Sequence, residues 1–107
     1  MSNITPGTER FETHVYGTVF GGRGDVLARL HQGEPLILVP DPPGTDDPCV
    51  WVHAPGGDVV GHLSPDINRW LVPLMLAGRR CRAEVTAIAG PDVESWRRLV
   101  ITVTCRN

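Results

Sequence analysis

The chain has 107 residues, of which 41% are hydrophobic and 21% are charged, and its formal net charge is −2. This length suits one domain with a single core and is too short for two. The sequence has no apolar run near the roughly 20 residues that cross a bilayer and no charged-then-apolar leader. Composition therefore predicts a soluble, cytoplasmic protein without membrane contact.

The charge is distributed unevenly along the chain. Residues 1–65 contain three arginines and eight acidic residues, whereas residues 66–107 contain seven arginines and four acidic residues. Every basic residue apart from histidine is arginine, whose planar guanidinium binds phosphate or carboxylate through two hydrogen bonds. The second half is consistent with phosphate recognition, and equally with arginines on the solvent face of a sheet.

Cysteine and histidine spacings argue against metal or redox chemistry. Cys49, Cys81 and Cys105 are odd in number, far apart and set in apolar segments, which predicts small buried hydrophobic residues rather than disulfides or a metal knuckle. The four histidines show no HxxxH or HExxH spacing, and no GxSxG sequence is present. We predict no catalytic residue, no metal and no cofactor.

The first half of the chain alternates short apolar segments with glycine and proline. "FETHVYGTVF" (11–20) alternates as a strand does, and "RGDVLARLHQG" (23–33) has the apolar spacing of a short helix that ends at Gly33. "PLILVP" (35–40) is an apolar run framed by prolines, which predicts another strand. "DPPGTDDP" (41–48) has the composition of a rigid acidic loop.

A hairpin follows the acidic loop. "CVWVHA" (49–54) and "VVGHL" (59–63) flank "PGGD", a sequence typical of a turn between antiparallel strands. The register that closes this turn symmetrically would place Trp51 opposite His62 on the outer face of the hairpin. A slip of one residue is an alternative.

The second helix has a clear start. In "SPDINRWLVPLMLAG" (64–78), Ser64 is the expected N-cap and Pro65 occupies the first helical position, where its missing N–H costs nothing. Pro73 should kink the helix or divide it in two. His62 lies two residues before Ser64, beside free backbone N–H groups that favour an anion. A phosphate-binding corner is one interpretation, and a strand histidine without a role is the other.

Two strands complete the chain. "RRCRAEVTAIA" (79–89) and "SWRRLVITVTC" (95–105) are rich in β-branched residues and are joined by "GPDVE" as a second hairpin. Arginines at 79, 80, 82, 97 and 98 would then form a basic stripe on neighbouring strands. The order of elements predicts a mainly β protein, a small antiparallel OB-like or SH3-like barrel of five to six strands with one short helix and one kinked helix.

The segment from residue 14 to residue 105 resembles the HIRAN domain, a module found at the amino end of DNA translocases and in free-standing bacterial proteins. The resemblance rests on Gly17 and Phe20 at the end of the first strand, an Asp-Pro loop at residues 41–42, and the "VGHL" segment at residues 60–63 that runs into a helix. It implies an OB-like barrel at residues 13–107 after a flexible N-terminal segment at residues 1–12.

The resemblance also implies a function. HIRAN domains capture the 3′-hydroxyl end of single-stranded DNA, which helps the attached motor regress replication forks, so the resemblance implies a role in DNA repair. By position, Phe20 would stack on the terminal base, Asp46 or Asp47 would accept a hydrogen bond from the 3′-hydroxyl, and His62 would lie near the terminal phosphates. The full set of expected DNA-binding residues is Phe20, Arg23, Asp46, Asp47, Trp51, His62, Ser64 and Arg69.

Two alternatives remain open. The acidic loop would repel a phosphate chain, which favours a protein-interaction or dimerisation module that uses Trp51, Trp70 or Trp96 as an anchor and has lost DNA binding. An enzyme or metal protein that combines His62 with Asp46 or Asp47 is a third interpretation. A steep salt dependence would distinguish DNA binding from an apolar anchor.

Overall fold

The computed structural model describes residues 9–106. Its elements are β1 (Glu9–His14), α1 (Arg23–Ala28), β2 (Pro35–Pro40), β3 (Val50–His53), β4 (Val59–His62), α2 (Pro65–Leu76), β5 (Arg80–Ile88), a 3-10 helix (Ser95–Arg97) and β6 (Leu99–Arg106). Within these residues, neither helix has the length and hydropathy that a membrane-spanning helix needs.

The six strands form one curled antiparallel sheet, a half-barrel with the order β1-β6-β5-β2-β3-β4. The predicted mainly β, OB-like architecture is confirmed. β2, β3 and β4 follow one another as antiparallel neighbours, and so do β5 and β6, whereas α1 lies between β1 and β2 and α2 lies between β4 and β5. All the strand pairs are antiparallel, as expected for apolar runs of four to nine residues bounded by turn residues.

The two edges of the sheet meet at one point. Beyond β1, Tyr16 forms an isolated bridge with His62 of β4, in which each backbone N–H donates to the other residue's carbonyl at 2.8 and 2.9 Å. This approach requires glycine at position 61, because a Cβ there would overlap the Tyr16 carbonyl oxygen and lie 2.7 Å from Val15 Cγ1. Closure of the sheet thus depends on a residue without a side chain.

The core fills the inside of this curl. Alternation along β6 buries one full face of the strand, and the inward residues of β2, β3 and β5 meet it. α2 packs against β2 and β3 and buries Leu71 and Val72. The helix remains a single element through Pro73 to Leu76, so the division that we considered at Pro73 does not occur.

Two predicted segments of the first half are shorter or shifted. The first strand ends at His14 rather than residue 20, because Gly17 (φ +72°) turns the chain out of the sheet. It begins at Glu9, so residues 9–12 of the segment that we expect to be flexible pair with β6. Residues 1–8 of that segment lie outside the described residues. α1 ends at Ala28, five residues before Gly33.

The predicted second hairpin is also different. β6 begins at Leu99, and residues 95–97 form a 3-10 helix instead of the start of a strand. Arg98 explains the longer connection, because its Nε donates to the Val93 carbonyl at 2.7 Å and its Nη2 donates to the Pro91 carbonyl at 3.0 Å. The guanidinium satisfies loop carbonyls that strand pairing would otherwise have to satisfy.

The cysteines are unpaired thiols, as the sequence indicates. Cys105 is fully buried, whereas Cys49 and Cys81 are partly buried. Cys81 and Cys105 lie directly opposite each other on β5 and β6, and burial raises the pKa of both thiols, that of Cys105 to about 12. Among residues 9–106, no group of three or more His, Cys, Asp or Glu side chains is placed to hold a metal ion.

Candidate nucleic-acid interface

A row of rings crosses the outer face where the sheet closes. Trp51 on β3 pairs with His62 on β4, and His62 pairs with Tyr16, so the three side chains project to one face. Ring centroids are 5.6 Å apart for Trp51 and His62 and 6.3 Å apart for His62 and Tyr16. Trp96 continues the line, nearly parallel to Tyr16 (10°) with centroids 6.5 Å apart. We call these four residues the aromatic row.

The predicted hairpin register is confirmed at its functional pair. Trp51 does lie opposite His62. The same register would pair Ala54 with Val59, but a bulge between Val52 and His53 places Val59 opposite His53 instead. The bulge leaves the outer face unchanged because it lies between the turn and the pair.

The Asp41 carboxylate holds Trp51 in place. The indole Nε1 donates to Asp41 Oδ1 at 2.8 Å, and the backbone N–H of Cys49 donates to Oδ2 at 2.9 Å. The backbone of Asp41 returns a hydrogen bond to the Cys49 carbonyl at 2.9 Å. One carboxyl side chain therefore closes the acidic loop and fixes the orientation of the half-buried indole.

The imidazole of His62 is oriented by the start of α2. His62 Nδ1 lies 3.0 Å from the Leu63 carbonyl oxygen, an acceptor, so Nδ1 carries a proton in this contact. The same carbonyl accepts from Nδ2 of buried Asn68, whose Oδ1 accepts from the Val50 backbone N–H, both at 3.0 Å. The imidazole thus presents its Nε2 edge towards Gly17.

Arg23 and Phe20 extend the surface beyond Trp51. Arg23 Nη1 donates to the Gly17 carbonyl at 3.0 Å, and its guanidinium carbon lies 5.6 Å from the Trp51 ring and 6.0 Å from the Phe20 ring. A Cβ on Gly17 would come within 3.1 Å of the His62 ring. The cation therefore bridges two rings, and Phe20 remains 65% exposed.

The other end of the row is anchored from below. The hydroxyl of Thr18, which is fully buried, donates to the Ser95 carbonyl at 3.1 Å and ties the 3-10 helix to the turn after β1. Trp96 is 43% exposed, with Arg97 5.8 Å from its ring and His14 edge-on at 5.6 Å. The Trp51 end of the row therefore adjoins the exposed Phe20 ring and Arg23, and the other end is the exposed Trp96 ring with Arg97.

Four of the eight expected binding residues come together. Phe20, Arg23, Trp51 and His62 form one chain of ring and cation contacts. Their gathering follows from the bridge between the sheet edges, which brings the turn after β1 beside β3 and β4.

The other four lie elsewhere. Asp46 and Asp47 are exposed in the 41–49 loop, and within residues 9–106 neither carboxylate forms a hydrogen bond or ion pair with the other expected residues. Ser64 caps α2 by accepting a backbone N–H at 3.4 Å. Arg69 projects from α2, and its Nη2 lies 4.0 Å from Asp66 Oδ1.

The predicted basic stripe does not form. Arg97 and Arg98 precede β6, where the first covers Trp96 and the second binds loop carbonyls. Arg79 is largely buried and lies 3.9 Å from a carboxylate of β1. Arg80 and Arg82 share the solvent face of β5, as strand alternation predicts.

Comparisons with known proteins identify the architecture. No protein-family model and no curated protein matches the chain. A crystal structure of a Lactobacillus plantarum protein from a structural genomics consortium has a TM-score of 0.75 and 18% identity, covering 94% of this chain and all of that one. The HIRAN domain of human HLTF has a TM-score of 0.62 and 16% identity, covering 95% of this chain and 79% of that one.

The chain has the fold of a HIRAN domain. At 16% identity the likeness establishes the fold alone.

Several residues of the site within this HIRAN fold were not expected from sequence. Tyr16 and Trp96 join the row through a bridge and a 3-10 helix that local pattern does not indicate. Asn68 is a buried polar residue on the core side of α2, and a polar residue between apolar helical positions was the available signal. Asp41 belonged to the Asp-Pro loop of the resemblance, but its bond to Trp51 depends on the folded loop.

Proposed function

We propose that this protein is a non-catalytic module that binds single-stranded nucleic acid, with bases stacked on the aromatic row. The observation that carries the proposal is the continuity of that row, in which ring follows ring at 5.6 to 6.5 Å across four separate chain segments. Stacking on such rings contributes about 1–3 kcal/mol per base and tolerates any base.

Electrostatics at the row supports an anionic ligand. Arg23 and Arg97 lie beside the rings at the two ends, where each guanidinium can contact a phosphate next to a stacked base. His62 is held by its Nδ1 contact with the Leu63 carbonyl so that Nε2 faces Gly17, where it is available to a polar group of the ligand. Rings that can stack on bases thus lie between two arginines that can bind phosphate.

The finer proposal is recognition of a 3′ end. Asp46 and Asp47 are exposed acceptors in the loop that Asp41 ties to Trp51. A free 3′-hydroxyl donates to a carboxylate, whereas a 3′-phosphate is repelled by it. A strand whose last base stacks at the Trp51 end would bring its terminus towards this loop.

The test is fluorescence anisotropy with labelled single strands of about 12 nucleotides that end in a 3′-hydroxyl or a 3′-phosphate. We expect Trp51→Ala to weaken binding of both by about 5- to 150-fold, the equivalent of about 1–3 kcal/mol. Asp46→Asn with Asp47→Asn should remove the preference for the free hydroxyl and leave binding of the blocked strand unchanged or stronger.

Trp70→Ala is the matched control. Trp70 lies on α2 against Phe11, away from the aromatic row, and is 38% exposed. The proposal would be contradicted if the Trp51 and Trp70 variants lost affinity equally, or if the wild-type protein bound neither oligonucleotide at low salt.

A second candidate is a protein-interaction module. The exposed apolar side chains of α2, Trp70 and Leu76, support it, because they lie outside the aromatic row and face solvent. In this case association of the protein with a partner or with itself would depend on Trp70 and would change little with salt. Sedimentation of the wild type and Trp70→Ala at two salt concentrations tests it.

A further inference from the structure

The outer face of β1, β6 and β5 carries a cluster of arginines distant in sequence. Arg80 and Arg106 are direct cross-strand partners, and Arg82 and Arg10 both pair with Thr104, one from each side. Directly opposed residues share a face, so all four side chains project outwards at one end of the sheet, and all four residues are exposed. We call them the arginine face.

On this face, the four arginines outnumber the two carboxylates in the neighbouring row. Arg10 is 4.0 Å from Glu84, which lies in the next row with Glu12. In the part of the chain that the structure describes, Arg80, Arg82 and Arg106 make no ion pair. Opposed like charges destabilise a strand pair, so the cluster does not serve the stability of the sheet.

We propose that the arginine face binds the phosphate backbone of the single strand whose bases occupy the aromatic row. This inference rests on the proposed function and adds a second contact region to it. Arginine is suited to phosphate because its planar fork donates two parallel hydrogen bonds, and four such groups on three adjacent strands offer a line of contacts to a repeating anion.

Charge complementarity favours nucleic acid over an acidic protein. The chain is acidic overall, with a net charge of −2, so a polyanion experiences local attraction only where positive charge is concentrated. A phosphodiester backbone presents one charge per nucleotide at regular intervals, which matches arginines spaced two residues apart on a strand better than scattered carboxylates do.

The experiment compares strands of about 4 and about 12 nucleotides, within the range of site sizes known for OB-type folds. The longer strand should bind more tightly and with a steeper dependence on salt. Arg80→Gln with Arg106→Gln should abolish this advantage and lower the slope of log K against log salt by about 1.4, because each phosphate that is no longer neutralised lowers the slope by about 0.7. Binding of the short strand should not change.

Arg29→Gln is the matched control, because Arg29 is an exposed arginine after α1 that lies 3.6 Å from Asp58. Thermal unfolding confirms that each variant is folded. The role of the arginine face would be overturned if the two strand lengths bound with equal affinity and equal salt dependence. It would also be overturned if the wild type and the double variant had the same slope, and in both cases the proposed function would stand.

Two further outcomes separate the claims. If Trp51→Ala changes nothing while the arginine variants abolish binding of the long strand, the proposed function of the aromatic row fails and the arginine face stands as a polyanion site. If poly-glutamate displaces the long strand as well as an unlabelled oligonucleotide does, the face prefers carboxylate and the inference is overturned.

Discussion

The outer surface of the sheet has two halves that are built on different principles. On β3 and β4, side chains are fixed: a carboxylate holds Trp51, and the Leu63 carbonyl, itself bound by a buried amide, holds His62. On β5 and β6, Arg80, Arg82 and Arg106 project without ion-pair partners among residues 9–106, and Arg10 on β1 lies beside Glu84. The first half therefore presents rings in fixed orientations, whereas the second half presents exposed positive charges.

The two halves differ in how strongly their side chains affect the free energy of unfolding. Oriented rings require buried polar groups whose removal leaves donors or acceptors unsatisfied, so changes beneath the aromatic row should destabilise the protein. Long arginines in water contribute little to stability. Stability and binding should therefore be coupled in one half and separable in the other.

The largest effect should come from Gly61→Ala. The added methyl would overlap the Tyr16 carbonyl and force apart the two edges of the sheet. We expect a loss of about 3 kcal/mol of unfolding free energy in urea. Gly56→Ala, at a turn position with open space around it, should change stability by less than about 0.5 kcal/mol. Similar free energies of unfolding for the two variants would show that the contact between the sheet edges does not stabilise the protein.

Asn68→Ala should have the next largest effect. The change removes two buried hydrogen bonds and leaves the Val50 N–H without its acceptor, which we expect to cost about 2–3 kcal/mol. Gln32→Ala, at an exposed position, is the control for urea denaturation. A cost below about 0.5 kcal/mol for the Asn68 variant would mean that water replaces the amide freely.

Alkaline pH should destabilise the arginine half through its buried thiols. Because burial raises the pKa of Cys105 to about 12, the folded state keeps a proton that the unfolded chain releases above about pH 8.5. The contribution of this thiol to the free energy of unfolding is therefore fully present below pH about 8.5. It is lost as the pH rises towards about 12, with a slope of up to about 1.4 kcal/mol per pH unit for one thiol.

Cys105→Ala isolates this contribution. Its stability should depend less on pH between about 8.5 and about 11 than that of the wild type, measured by urea denaturation at each pH. Cys49→Ala, which removes a partly buried thiol of the other half, should change the slope less. Parallel profiles for wild type and Cys105→Ala would refute the assignment.

The smallest effect should be a gain. Arg106→Thr removes the repulsion between Arg106 and its cross-strand partner Arg80, so we expect the protein to be more stable by about 0.2–1 kcal/mol at low salt. The gain should disappear at high salt because screening already weakens the repulsion. Destabilisation at low salt would indicate that Arg106 has a structural role.

Local sequence was sufficient for elements that depend on their own residues. β2 coincides with the predicted run at 35–40, and α2 begins as its Ser64 and Pro65 caps indicate. The pairing of Trp51 with His62 was also predicted, because a short turn and strand alternation leave few registers.

Contacts between distant segments were not accessible in this way. The bridge from Tyr16 to His62 depends on the curl of the whole sheet, and Trp96 reaches the row because Thr18 binds Ser95 across 77 residues of sequence. The predicted stripe was wrong for Arg98 because its guanidinium is used by loop carbonyls, a choice that alternation cannot reveal.

The bridge between Tyr16 and His62 also has a kinetic consequence. Its two residues are far apart in the chain, and bringing such segments together has a loop-closure cost that folding meets before the contact stabilises anything. Partly folded states that contain β2 to β4 alone would display Trp51 and His62 without Tyr16. A ligand that needs all three rings would therefore bind the finished fold in preference to any intermediate, and its presence would slow unfolding more than it speeds folding.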